Sequence, residues 1–119
     1  MKKFVYVAAL LLIGTPALAD QFPGSMIAAF YMENYSVPKG WTLTYKGVEG
    51  GVQVFVMDRD LDAFPQTAFL QPVDQMRRVM CGDPSLKAMV AGGTVVRVDA
   101  RDRNGGKTTL SKGPRLTSC

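Results

Sequence analysis

The sequence predicts an α+β domain in which helices pack on one face of a small antiparallel sheet of about four strands, closed by one disulfide. Two observations favour this class. Stretches in which apolar residues alternate with polar ones are separated by stretches in which apolar residues recur at helical spacing, in the order helix, two strands, two helices, two strands. Glycine and proline punctuate these stretches, and they mark the boundaries between the predicted elements.

The first half of the predicted domain contains one helix and two strands. The helix spans 26–35, follows Ser25 as its N-cap residue, and carries Met26, Ala29 and Phe30 at helical spacing. The segment 41–45 alternates apolar and polar residues, which predicts a half-buried strand. Its partner, 52–57, is rich in β-branched residues and suits a more central place in the sheet. A polar loop, 58–65, then leaves the sheet.

Two helices follow that loop. The first begins near Pro72 and ends at Gly82, and its apolar face is formed by Val73, Met76, Val79 and Met80. Asp83 followed by Pro84 predicts the start of the second helix, because aspartate is a favoured N-cap and proline a favoured first helical residue. Glycines at 92 and 93 end this helix.

A hairpin completes the domain. The segment 94–101 reads as a strand, with Val96, Val98 and Ala100 on one face. The pair Asn104-Gly105 is a favoured hairpin turn, and 107–112 returns as the last strand.

The first nineteen residues predict a cleavable signal peptide, which leaves 20–119 as a single domain. A pair of lysines precedes an apolar run, 4–13, that is too short to span a bilayer as a helix. Ala-Leu-Ala at 17–19 is a cleavage site. We therefore expect a periplasmic or secreted protein with no transmembrane segment in its mature chain.

The two cysteines predict one disulfide, between Cys81 and Cys119. Export places both thiols in an oxidising compartment, and the chain has no third cysteine to compete. The sequence has no histidine and no C-x-x-C pair, so the usual zinc and thioredoxin-like patterns are missing. We expect neither a metal site nor a cofactor.

Charge is distributed unevenly along the mature chain. Residues 20–76 carry three basic and seven acidic side chains, whereas residues 77–119 carry nine basic and three acidic ones. This asymmetry could give a basic face for a protein or an anionic envelope component, with nucleic acid not expected as a partner. It could also give a solvated surface whose two halves neutralise each other, which is the interpretation we favour. The candidates for a contact surface are Arg77, Arg78, Arg97, Arg101, Arg103 and Lys107.

The sequence contains partial matches to a calcium-binding loop and to a catalytic motif, but neither motif is complete. The acidic stretch 58–62 opens like a calcium loop, but Ala63 and Phe69 stand where the loop needs glycine and glutamate. Ser36 and Lys39 fit a Ser-x-x-Lys nucleophile, yet the proline between them argues against the helix that this motif requires. Without histidine or paired carboxylates, the sequence predicts that the protein is not an enzyme, and a small hydrolase is the weakest alternative.

The C-terminal part of the chain carries a pattern that can be compared with a known family. Residues 81–86 read Cys-Gly-Asp-Pro-Ser-Leu, and they are followed by two glycines, a Val/Arg strand, the turn 102–105 and Cys119. Over 73–119 this pattern resembles the quorum-sensing-regulated virulence factors, small exported proteins of Gram-negative bacteria. The resemblance implies an exported α+β protein that is linked to virulence and whose biochemical activity is undefined.

These observations predict a small exported binding module without catalytic activity. The alternative is an accessory or assembly factor for an envelope machine such as a secretion system, which the charge asymmetry motivates.

We expect signal peptidase to cleave between Ala19 and Asp20. The intact mass of the protein recovered from periplasm or culture medium measures this directly, since the mature form lacks the first nineteen residues. Recovery of the chain with its leader still attached would contradict the export prediction.

Overall fold

The computed structural model describes residues 22–119, and the predicted signal peptide lies outside the described residues. The α+β class is confirmed, because helices pack against one open sheet. The helices of this part of the chain are α1 (Gly24–Asn34), α2 (Pro72–Gly82) and α3 (Pro84–Ala91), with a short 3-10 helix at Pro65–Thr67. The strands are β1 (Trp41–Glu49), β2 (Val52–Asp60), β3 (Val95–Asn104), β4 (Lys107–Ser111) and β5 (Arg115–Leu116).

The sheet is mixed, whereas the sequence predicted an antiparallel one. Its order is β1-β2-β3-β4, and β5 pairs with the same edge of β3 as β4 does. Strands β2 and β3 run parallel, in register from Val52 opposite Val95 to Asp60 opposite Arg103, and the remaining pairs are antiparallel. The physical reason is the connection: α2 and α3 cross over one face and return the chain to the end of the sheet where β2 began.

Several element boundaries differ from the prediction. Strand β2 continues to Asp60, so the predicted loop 58–65 begins inside the sheet, where β3 pairs with it. Helix α1 begins at Gly24 and has no side-chain cap, so Ser25 lies within its first turn. The tight turn after β3 consists of two glycines with φ of 64° and 72°, Gly105 and Gly106. The predicted cap of α3 is confirmed, because the Asp83 side chain accepts a hydrogen bond from the Leu86 N–H at 3.1 Å.

The core lies between the three helices and one face of the sheet. From the helices it takes Ile27, Ala28, Tyr31, Met76, Val79, Met80, Leu86, Met89 and Val90. From the strands it takes Trp41, Leu43, Phe55, Met57, Val96, Val98 and Leu116. Burial of this apolar surface supplies the main driving force of folding.

Two hydrogen bonds between side chains hold polar groups inside this core. The Tyr31 hydroxyl donates to Gln75 Oε1 at 2.8 Å, which joins α1 to α2, and burial raises the pKa of this hydroxyl to about 12. The Trp41 indole N–H donates to Thr67 Oγ1 at 3.0 Å, which joins β1 to the short 3-10 helix. Both groups are satisfied, so their burial carries no penalty from an unmade hydrogen bond.

The predicted disulfide is confirmed. Cys81 in α2 is bonded to Cys119, with 5.7 Å between their Cα atoms. The residues before Cys119 form β5, whose Leu116 is 2% exposed and lies in the core. The bond therefore fastens a two-residue terminal strand, which would otherwise be prone to fraying, to the helical layer.

We expect reduction of this disulfide to lower the free energy of unfolding by about 4 kcal/mol, because the bond closes a loop with a sequence separation of 38 residues in the unfolded chain. Hydrogen exchange should show protection lost first in β5. The double variant Cys81→Ser with Cys119→Ser is the control, since it should match the reduced protein. Two alkylatable thiols in the non-reduced native protein would contradict the assignment.

Candidate functional site

Three of the predicted contact residues lie together on the face of the sheet that points away from the helices, here called the outer face. Arg97, Arg101 and Arg103 alternate along β3, and so their side chains share this face. Because β2 runs parallel beside β3, Asp58 of β2 and Asp62 just after it lie next to Arg101 and Arg103. The structure therefore brings a basic strand and acidic residues of the N-terminal half together.

Each of these arginines is paired with a carboxylate. The pairs are Arg97 with Asp99 and Glu49, Arg101 with Asp58, and Arg103 with Asp62. A further pair, Arg59 with Asp102, lies on the helix-facing side of the same strands and is bidentate, with both distances 2.6 Å. The three arginines of β3 are thus neutralised within the sheet, as the interpretation that the two halves of the chain neutralise each other requires. The other six basic residues of 77–119 form no ion pair with the described residues, so the neutralisation is partial.

The most buried of these ion pairs joins Arg97 to Asp99, and Asp99 is only 1% exposed. The Arg97 guanidinium donates to the two Asp99 oxygens at 2.8 and 3.0 Å, and to Glu49 Oε1 at 3.1 Å. The Gly113 N–H donates to Asp99 Oδ1 at 3.2 Å. Burial acts to raise the pKa of Asp99, but the hydrogen bonds from Arg97 and Gly113 outweigh it and leave this pKa below its usual value.

The other predicted contact residues lie elsewhere. Arg77 and Arg78 are exposed on α2, in the helical layer. Arg77 donates to the Ser118 carbonyl at 3.3 Å, and the Arg78 guanidinium lies 5.8 Å from the centre of the Tyr35 ring. Lys107 is exposed at the start of β4. The six residues therefore do not form one surface, and a role for them in binding stays a prediction.

A different feature, which sequence analysis missed, is an apolar groove between α1 and the start of α3. Its volume is about 200 Å³, and it is lined by Phe22, Met26, Ile27, Phe30, Leu86, Asp83 and Ser85. Met26 is 56% exposed and Phe22 42% exposed, although both are large apolar side chains. The groove is thus a surface feature of the helical layer that exposes apolar side chains to solvent.

The orientation of α1 explains why the groove was missed. The spacing of Met26, Ala29 and Phe30 predicted the core-facing side, but the structure buries Ile27 and Tyr31 and leaves Met26 and Ala29 exposed. The helix is apolar on both sides, so its sequence period does not select the buried one. The sequence did contain a signal for an exposed apolar surface. Helix α1 has more apolar residues than a helix with one buried face needs.

Within residues 22–119, no three side chains of the metal-ligating types lie close enough together to hold an ion. In the same residues, no helix is long and apolar enough to cross a membrane. Asp83 is the one carboxylate that lines the groove, and it is engaged as the cap of α3.

Asp99→Asn should make stability less dependent on pH. Because the folded state lowers the pKa of Asp99, its contribution is present above the unfolded-state value of about 4 and is lost as pH falls through the folded-state value. At pH 7 we expect the variant to lose roughly 1–2 kcal/mol, allowing for solvent screening at this face.

Urea unfolding followed by Trp41 fluorescence, at neutral and acidic pH, measures both effects. The matched control is Asp74→Asn, since Asp74 is an exposed carboxylate that forms no ion pair with the described residues. Equal loss of stability on acidification in the wild type and the Asp99 variant would contradict the role of this pair.

Comparison with known proteins gives one similar structure. No family model matches the chain, and no curated protein matches it. The chain is similar to the pilotin from the Vibrio vulnificus type 2 secretion system, EpsS, with a TM-score of 0.48 and 11% identity. The match covers 86% of this chain and 87% of that chain. A similarity at this level assigns neither family nor function, and the resemblance to quorum-sensing-regulated virulence factors stays a prediction.

Proposed function

We propose that this protein is a non-catalytic binding module of the bacterial envelope or exterior, and that it holds an apolar segment of a partner protein in the groove between α1 and α3. The observation that carries the proposal is the exposure of Met26 and Phe22 beside that groove. Large apolar side chains that border a concave surface are typical of a site that another molecule covers.

The groove has walls that are held in place. On one side, α1 is anchored because Ala28 and Tyr31 are buried in the core. Gly24 fits closely beneath the Tyr45 ring, where any larger residue would collide. On the other side, the start of α3 is capped by Asp83. Preformed walls lower the entropic cost of binding, because little has to be ordered when a partner docks.

The chemistry of the lining selects an apolar ligand with a polar end. Phenylalanine, isoleucine and leucine supply fixed apolar surface, and Met26 supplies a flexible side chain that adapts to different shapes. Asp83 and Ser85 lie at the α3 side and can accept hydrogen bonds. A volume of about 200 Å³ is small for a whole metabolite, but it suits the anchoring side chains of a protein segment.

The same groove would serve the alternative function. An accessory or assembly factor is also a protein that binds a partner, and the two hypotheses differ in what that partner does. Identification of the partner therefore separates them. The groove does not support a hydrolase. Asp83 is the one carboxylate in its lining, and this side chain already accepts a hydrogen bond from the Leu86 N–H.

The test is affinity capture from a periplasmic extract of the native host, with Met26→Glu as the variant. Met26 is exposed, so the variant should fold with a Tm within a few degrees of wild type, while a charge in the groove should abolish capture of the partner. Ala29→Glu is the matched control, because it places the same charge on an exposed position of α1 outside the groove lining.

Mass spectrometry of the captured proteins then compares the three baits. A protein that is retained by the wild type and by Ala29→Glu, but lost with Met26→Glu, supports the proposal. The same proteins captured by all three baits would contradict it, since binding would then not depend on the groove.

A further inference from the structure

The two edges of the sheet differ in whether a further strand can pair with them. At the β1 edge, the Leu43 N–H donates to the Met32 sulfur at 3.3 Å, so α1 already occupies this backbone donor. A bulge between Tyr45 and Gly47 also breaks the regularity of β1. At the opposite edge, all five residues of β4 are exposed. Among the described residues, the open edge of the sheet is therefore β4.

The register of the hairpin shows which backbone groups of β4 are free. Asn104 pairs with Lys107 across the two-glycine turn, so the backbone groups of Lys107 point toward β3. Alternation along the strand then directs the N–H and C=O groups of Thr108 and Leu110 away from β3. These four groups form a short ladder that a further extended segment can complete.

The hairpin that presents this edge is fixed in place. Asp62 accepts hydrogen bonds from the N–H groups of Gly105 and Gly106 at 2.7 and 3.1 Å, and so the loop after β2 clamps the turn. The Leu61 N–H also donates to the Arg103 carbonyl at 2.9 Å. A clamped hairpin offers its edge without first having to be ordered, which favours binding.

The charges along this edge indicate the partner. From residue 103 to residue 119 the sequence has four basic side chains and no acidic one. Arg103 lies 3.5 Å from Asp62, but Lys107, Lys112 and Arg115 form no ion pair with any described residue. All three are exposed, and they follow β4 and β5 along one side of β3. The positive charge at this edge therefore remains uncompensated, unlike that of Arg97 and Arg101.

We propose that β4 binds an extended, acidic segment of a partner protein as an additional strand. The backbone groups of Thr108 and Leu110 would pair with the segment, and Lys107, Lys112 and Arg115 would attract its carboxylates. A second copy of this chain does not fit, because antiparallel pairing of β4 about Thr109 places Lys107 of each copy opposite Ser111 of the other and next to Lys112, so that like charges gather at the contact. Lysines on an edge strand oppose such self-pairing in general.

The probe is a synthetic acetylated and amidated peptide, Thr-Glu-Val-Glu-Val-Glu-Val-Thr, titrated into the folded protein and followed by the amide NMR signals. We expect shifts centred on Thr108 and Leu110 that weaken with added salt. The double variant Lys107→Glu with Lys112→Glu should bind roughly tenfold more weakly, because two exposed attractions become repulsions. A matched peptide with lysine in place of glutamate should not bind.

A second variant tests the backbone pairing separately from charge. Leu110→Pro removes an N–H that points away from β3 and so leaves the β3–β4 ladder in place, whereas Leu110→Ala keeps that N–H and serves as the control. Binding should be lost with proline and kept with alanine, and an unchanged Trp41 fluorescence spectrum verifies the fold of each variant.

Three results would overturn the proposal. One is the absence of shifts in β4 at millimolar acidic peptide. Another is equal binding of the acidic and lysine peptides. The third is attachment to phosphatidylglycerol vesicles that depends on Lys107 and Lys112 without any peptide binding, which would identify a lipid surface as the partner. The groove variant Met26→Glu should leave peptide binding unchanged, so the outcome is independent of the proposed function.

Discussion

The parallel pairing of β2 with β3 is the interaction on which the rest of the structure depends. It aligns nine residues of each strand, from Val52 beside Val95 to Asp60 beside Arg103. It joins two segments that are separated in sequence by both helices α2 and α3, so a large loop must close before the pair can form. The helices in that loop bury their apolar faces on the sheet, and their burial stabilises the pairing that their own crossover makes possible.

This pairing also determines the electrostatics of the molecule. Because side chains alternate along both strands, Arg101 and Arg103 of β3 lie beside Asp58 and Asp62 on one face of the sheet. On the other face, Arg59 of β2 pairs with Asp102 of β3. Short, bidentate pairs at these positions reduce the cost of placing charge on a sheet surface. At the β4 and β5 edge, Lys107, Lys112 and Arg115 form no ion pair with the described residues, and no acidic residue of the sequence follows Asp102.

The C-terminal segment shows how a very short strand, β5, is held in the fold. Strand β5 has two residues, too few to persist alone, and it is separated from β4 by a break in the ladder. At this break Gly113 approaches the Val98 carbonyl so closely that a side chain would collide, and its N–H binds Asp99. The disulfide then ties the end of the chain to α2. The pairing of β5 with β3, the Gly113 hydrogen bond and the disulfide thus hold Leu116 in the core.

Features that depend on local chemistry could be predicted from the sequence. The Asp83–Pro84 start of α3, the existence and order of the helices and main strands, and the pairing of the two cysteines follow from residue types and short spacings. The direction of β3 relative to β2, the neutralisation of Arg97 and the face that α1 buries could not be predicted in this way. These depend on which distant segments meet. A strand has no intrinsic preference for a parallel neighbour, and a helix that is apolar on both sides has no preferred face until the sheet selects one.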